Sequence, residues 1–123
     1  MPNFGLTEDA PAAKLCEGLL AHGVREGYER IDLVPHAKAA CIIRGYRKGS
    51  SREIMQCPRK LYPDVVSWVK GKAGLDPDKR VPLQEGTLRF QLDGVRHEVR
   101  FTMRMAGSGV EHLLLQFAPE AAA

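Results

Sequence analysis

Between Leu88 and Met105 the chain alternates apolar and polar side chains with a period of two, interrupted once. Leu88, Phe90 and Leu92 alternate with Arg89 and Gln91; after Asp93-Gly94, Val95, Val99, Phe101, Met103 and Met105 alternate with Arg96, Glu98, Arg100, Thr102 and Arg104. A period of two puts each set on one face of a strand. An Asp-Gly pair between two such runs predicts a β-hairpin with a type I′ turn, whose two central residues both need positive φ. The register then sets Leu92 opposite Val95, Phe90 opposite His97, Arg89 opposite Glu98 and Leu88 opposite Val99. One face is apolar and the other ionic, so the apolar face from Leu88 to Met105 needs a cover.

Two helical patterns can supply it. Ala12, Leu15, Cys16, Leu19 and Leu20 recur at three and four, with Pro11 in the first turn and Gly23 after the end, which predicts a helix over 10–22. Leu61, Val65, Trp68 and Lys72 form one line and Tyr62, Val66 and Val69 the adjoining one, which predicts a helix over 59–72, with Pro63 tolerated in the first turn if the helix begins near Tyr62. Trp68, the single tryptophan, is either the packing residue of that helix or an exposed anchor for a partner. Strands are predicted at 30–34, with Ile31 and Leu33 inward and Pro35 as the stop, at 39–46, and at 52–56 with Ile54 inward; a turn over 45–51 separates the last two.

Residues 74–86 read as an ordered loop with a short turn at Asp76 to Lys79, and Gly107-Ser108-Gly109 as a flexible link. Glu111 to Phe117 is a final strand whose unbroken Leu113-Leu114-Leu115 suits an interior position. Residues 1–8 form a loose lead-in and 118–123 a tail. The predicted fold class is α+β: a two-layer domain with a largely antiparallel sheet of about five or six strands and two main helices packed on one face.

Length and composition bound the rest. A chain of 123 residues, 44% hydrophobic, is expected to be one domain. No run reaches the about 18 apolar residues of a membrane span, and MPNFGLTEDA lacks the basic start and apolar core of an export signal, so no membrane insertion and a cytoplasmic location are expected. Cys16, Cys41 and Cys57 are odd in number, without a CxxC pair, and are read as free thiols. His22, His36, His97 and His112 fall in separate elements, so neither metal nor cofactor is expected.

The net charge of +3 comes from 18 Lys and Arg against 15 Asp and Glu. Arg44, Arg47, Arg52 and Arg59, with Lys48 and Lys60, make the middle of the chain a candidate basic patch, offset there by Glu53. Arg89, Arg96, Arg100 and Arg104 share the ionic face of the hairpin. That face is either solvated with cross-strand ion pairs or binds an anion or a protein partner.

Catalytic signatures do not assemble. GxxxxGK[ST], which brings backbone amides and a lysine to the nucleotide phosphates, is absent, as are GxGxxG and GxSxG. Asp76, Asp78 and Glu85 share the predicted loop, where Pro77 and Lys79-Arg80 favour turn capping and surface ion pairs over metal or acid-base work. No catalytic residue is assigned.

With these elements placed, the order from Arg30 to Phe117 resembles the N-terminal domain, next to the motor, of type II secretion and type IV pilus assembly ATPases. That family has a SDIHIEP-like strand, an arginine-rich strand ending in RIDG, and a helix and loop reading roughly LxPxxxSRIKxMAGLDIAERRxPQDG. RVST-like and GExxVLRL-like strands complete it. Here Ile31, Leu33 and Pro35 match the first motif, Arg44 and Gly49 the second. Pro58, Leu61, Pro63, Ser67, Val69, Lys70, Ala73, Gly74, Leu75 and Asp76 follow in unbroken register, then Arg80, Pro82, Gln84, Glu85 and Gly86. Arg100 with Thr102, and Glu111 with Leu113 to Leu115, match the last two strands.

The departures are specific. Arg30 and Asp32 hold the acidic and histidine positions of the first motif, Leu83 is inserted before Gln84, Thr87 stands where an arginine follows PQDG, and Gln116 replaces the arginine of the last strand. The resemblance implies a non-catalytic interaction, assembly or regulatory module, without nucleotide-hydrolysis machinery, whose partner is a hexameric secretion or pilus ATPase or a second copy of itself. The partner- or nucleotide-facing candidates it implies are Arg80, Gln84, Glu85, Arg100, Arg104 and Trp68. The competing expectation is an anion-binding module for a nucleotide, cyclic dinucleotide or, less readily, nucleic acid, using the basic patch and the hairpin arginines.

Overall fold

The computed structural model describes residues 10–36, 40–79, 81–105 and 110–117. In chain order these form helix α1 (Pro11–Glu26), strands β1 (Arg30–Val34), β2 (Cys41–Arg47) and β3 (Ser50–Cys57), and a 3-10 turn at Arg59–Leu61. Helix α2 (Tyr62–Lys72) and strands β4 (Leu83–Leu92), β5 (Val95–Met105) and β6 (Glu111–Gln116) follow. The fold is α+β, with both helices on one face of a six-stranded antiparallel sheet in the order β3-β2-β1-β6-β5-β4. The last strand lies in the middle, between β1 and β5, which is why it carries Leu113-Leu114-Leu115 without a polar break.

The β4–β5 hairpin has the register its sequence predicts, from Leu92 opposite Val95 to Leu88 opposite Val99 and on to Leu83 opposite Arg104. Asp93 and Gly94 turn at φ 53 and 80. A second hairpin of the same kind joins β2 to β3 through Lys48 and Gly49, at φ 52 and 80. The turn predicted over 45–51 thus narrows to two residues.

Several boundaries move, each for a physical reason. Helix α1 continues past Gly23 to Glu26 and closes on Gly27 at φ 72, where the Gly27 and Tyr28 amides donate to the Val24 and Gly23 carbonyls at 3.2 and 3.0 Å. Gly23 does not end the helix; it makes room for Phe117, whose ring would lie 2.4 Å from a Cβ there. The loop predicted over 74–86 ends earlier, because Leu83 to Gly86 already pair with β5. Gly86 is a packing residue within β4: a Cβ on it would come within 2.7 Å of the Phe101 ring.

The core lies between the helices and the sheet. Cys16, Leu19 and Leu20 of α1 and Val65 and Val69 of α2 pack over Ile31, Leu33, Ile43, Leu88, Val99, Phe101, Met103, Leu113 and Leu115. The apolar floor is shorter than the alternation from Leu88 to Met105 suggests. Leu92 is half-buried and Val95 is 55% exposed, so the hairpin tip reaches beyond its cover. The stripe of α2 is also rotated: Tyr62, Val65, Val66, Val69 and Lys70 are buried, Trp68 is half-buried at the margin and Lys72 is exposed.

All three cysteines are free and buried. Burial pushes the Cys16 and Cys41 thiols up from 9.0 to about 12 and raises Cys57 as well. A raised folded-state value means the folded chain holds its thiol protons where the unfolded chain loses them, so the contribution is complete below pH 9 and is lost between pH 9 and about 12. The thermal midpoint is expected to fall over that interval, with a shallower fall in Cys16→Ala. A midpoint that rises there, or an unchanged slope in the variant, contradicts the assignment.

Candidate functional site

Because both helices occupy one face of the sheet, the opposite face has no described helix over it, and its side chains follow from the register. Ser51, Tyr46, Arg30, Gln116, Arg100 and Thr87 form one line across all six strands. The next line is Glu53, Arg44, Asp32, Leu114, Thr102 and Glu85. Beyond it Ile42 stands beside Val34, and His112 beside Arg104. Leu114, Ile42, Val34 and Thr102 are half-buried, whereas Arg100, Arg104 and Glu85 are exposed around them.

Charges on this face are largely matched. The Arg30 guanidinium donates two hydrogen bonds to Asp32, at 2.8 and 3.2 Å, and lies 4.1 Å from the centre of the Tyr46 ring. Arg44 stands between Asp32 and Glu53 in the register, and Arg89 bonds Glu98 at 2.9 Å. The two positions that depart from the SDIHIEP-like motif, Arg30 and Asp32, are therefore partners in one ion pair. Thr87 and Gln116, which stand where the resemblance places arginines, flank Arg100 directly on the two neighbouring strands. Of these three adjacent positions, Thr87, Arg100 and Gln116, one holds an arginine where the resemblance places three.

The sequence candidates separate. Glu85, Arg100 and Arg104 share the open face, and Arg44 joins them. Gln84 lies on the covered face opposite Met103, its Oε1 buried without a hydrogen-bond partner among the described residues. Trp68 lies on the helix side, where it lines a groove of about 360 Å³ with Leu20, Leu88, Phe90 and Leu92, and Lys72 Nζ is 5.6 Å from its ring. Arg80 lies outside the described residues, as do Gly107 and Gly109. The four arginines of the basic patch do not converge. Arg44 is on the open face, Arg47 bonds the Glu26 carbonyl, Arg52 is exposed opposite Gly45, and Arg59 bonds the His36 carbonyl.

Asp76 and Asp78 form a turn, with the Asp78 amide donating to Asp76 Oδ1 at 2.9 Å, while Glu85 is away on β4. Among the described residues no group of three or more His, Cys, Asp and Glu could hold a metal ion, and no helix is long and apolar enough to cross a membrane.

Sequence reasoning missed one buried ion pair. Lys70 is fully buried, its Nζ 2.9 Å from Glu111 Oε2 and 2.7 Å from the Lys79 carbonyl. The Tyr62 hydroxyl donates to the Glu111 backbone carbonyl at 2.5 Å, and burial raises its pKa. Helix α2 is thereby fastened both to β6 and to the loop that leads into β4. Both ionic partners were visible as motif residues, the lysine of the helix motif and the glutamate of the final strand.

No family model matches the chain. A distant homology does: the chain is 34% identical over 103 residues to the Type II secretion system ATPase E of Vibrio cholerae. The match covers 83% of this chain and 20% of that protein, so the chain spans about a fifth of the relative's length.

Proposed function

We propose that the chain is a non-catalytic interaction module of the kind that precedes the motor in secretion and pilus assembly ATPases, and that its open sheet face receives a motor domain. The observation that carries this is the 34% identity across 83% of the chain to a secretion ATPase. It is supported by what the helix-loop-strand segment 58–86 does: Lys70 ties α2 to β6, and Gly86 admits Phe101.

The chemistry of the open face suits a protein more than a polyphosphate. A half-buried centre of Leu114, Ile42 and Val34 with a rim of Arg100, Arg104 and Glu85 has the make-up of a moderate protein interface. Arg100 has Thr87 and Gln116, and no further cation, beside it on the two neighbouring strands, which is poorer in positive charge than a polyphosphate site needs. These 123 residues contain no GxxxxGK[ST] phosphate-binding motif, so on this reading they take no part in binding nucleotide phosphates through such a loop. A cytoplasmic location goes with this reading.

The test is a calorimetric titration of the chain with the motor fragment of a type II secretion ATPase. Binding is expected, and Arg100→Glu with Arg104→Glu is expected to weaken it by about tenfold or more with an unchanged melting curve. Absence of binding, or equal affinity in the double variant, overturns the proposal. So does salt-dependent binding to ATP or short oligonucleotides, which marks an anion-binding module.

A further inference from the structure

The sheet has two outer strands, and they differ. The β2–β3 pairing slips between Ile43 and Arg44, so the outer strand β3 is bulged. Strand β4 pairs with β5 without a slip along all of its residues from Leu83 to Leu92, and contains no proline or lysine. Bulges, prolines and lysines are the ordinary guards of an open edge, and β4 lacks each of them.

The hydrogen-bond phase of that edge follows from the turn. In a two-residue hairpin the closing pair, here Leu92 and Val95, exchanges both backbone bonds, and bonded pairs then recur at every second residue. The Met105 amide accordingly donates to the Pro82 carbonyl at 2.9 Å, an even-numbered β4 position facing β5. The amides and carbonyls of the odd-numbered residues Leu83, Glu85, Thr87, Arg89 and Gln91 therefore point to the outer edge.

We propose that two copies of the chain pair antiparallel along this edge, with Thr87 opposite the partner subunit's Thr87 on a two-fold axis. Self-pairing must match odd positions with odd positions to form backbone bonds. Of the registers close to the middle of β4, the one centred on Thr87 sets Glu85 opposite the partner subunit's Arg89, and by symmetry repeats that pair. Centring on Gly86 or Leu88 sets Glu85 against threonine or glutamine. In the Thr87 register Arg89 lies between its own Glu98, at 2.9 Å, and the partner's Glu85, and Leu88 comes opposite the partner's Gly86 on the core side. The result is one sheet continuous through both copies, closed by a two-fold axis.

Sedimentation equilibrium of the 123-residue chain, with no motor fragment present, tests this independently of the proposed function. A monomer–dimer equilibrium is expected. Thr87→Pro removes an outward amide at the axis without touching the β4–β5 ladder, and is expected to raise the dimer dissociation constant by about tenfold or more. Glu85→Arg alone is expected to weaken the dimer, and Glu85→Arg with Arg89→Glu to restore it, with melting curves reporting that each variant folds. A chain that is monomeric throughout, a dimer indifferent to Thr87→Pro, or a charge-swapped pair no better than its single variant overturns the proposal.

Discussion

Lys70→Ala is expected to lower the free energy of unfolding by about 3–5 kcal/mol, because it leaves the Glu111 carboxylate in the interior without its cation. The geometry makes the loss specific. Nζ is fully buried, and it reaches Glu111 at 2.9 Å and the Lys79 carbonyl at 2.7 Å, so a single substitution removes the ionic tie of α2 to β6, leaving the Tyr62 hydroxyl bond to the Glu111 carbonyl, and frees the loop before β4. Domains of this kind have about 5–15 kcal/mol in total, so the variant is expected near the edge of folding at 37 °C. Replacing both partners with apolar residues, Lys70→Met with Glu111→Leu, is expected to recover most of the loss. Urea unfolding of the three proteins decides the matter. A cost below about 1 kcal/mol for Lys70→Ala would show that water reaches the pair and that the clamp is not buried in solution.

Phe101→Ala is expected to cost a further about 3–5 kcal/mol, as for other large aromatic truncations in a packed core. Its ring lies over Gly86, where a Cβ would meet it at 2.7 Å, so Gly86→Ala is expected to cost about 1–3 kcal/mol by overpacking. The two should not add. Once the ring is gone an alanine at 86 meets nothing, and the double variant is expected to be more stable than the sum of the single losses implies. Strict additivity in urea unfolding would mean that the two positions do not touch.

Local patterns carried much of the fold. The hairpin register, the two helices and the interior character of Leu113-Leu114-Leu115 were legible because period, turn chemistry and apolar content are properties of neighbouring residues. Glycines were harder. Gly23, Gly45 and Gly86 read as punctuation, yet each lies within an element and receives the ring of Phe117, Tyr28 or Phe101. All three rings come from outside the glycine's own element, Phe101 from the neighbouring strand and Phe117 and Tyr28 from segments flanking β6 and β1, which no local reading can supply.

The same limit applies to Lys70, whose acid is 41 residues away. An amphipathic count placed Lys72 in the buried stripe of α2 because a lysine alone carries no sign of a distant carboxylate. On the open face, the arginines of β5 were legible as one set, since they share a strand. Their neighbours Thr87, Gln116, Arg30 and Asp32 fell into place only when β6 was found between β1 and β5.

The most direct measurement of the proposed function is amide hydrogen exchange and side-chain NMR shift mapping of the chain, alone and with a secretion ATPase motor fragment. Signals of Arg44, Thr102, Leu114, Arg100 and Arg104 are expected to change together, while those of Glu17 and Ala21 on α1 stay as they were. Changes confined to the helix side, at Leu20, Trp68 and Phe90, with the open face untouched, would contradict it.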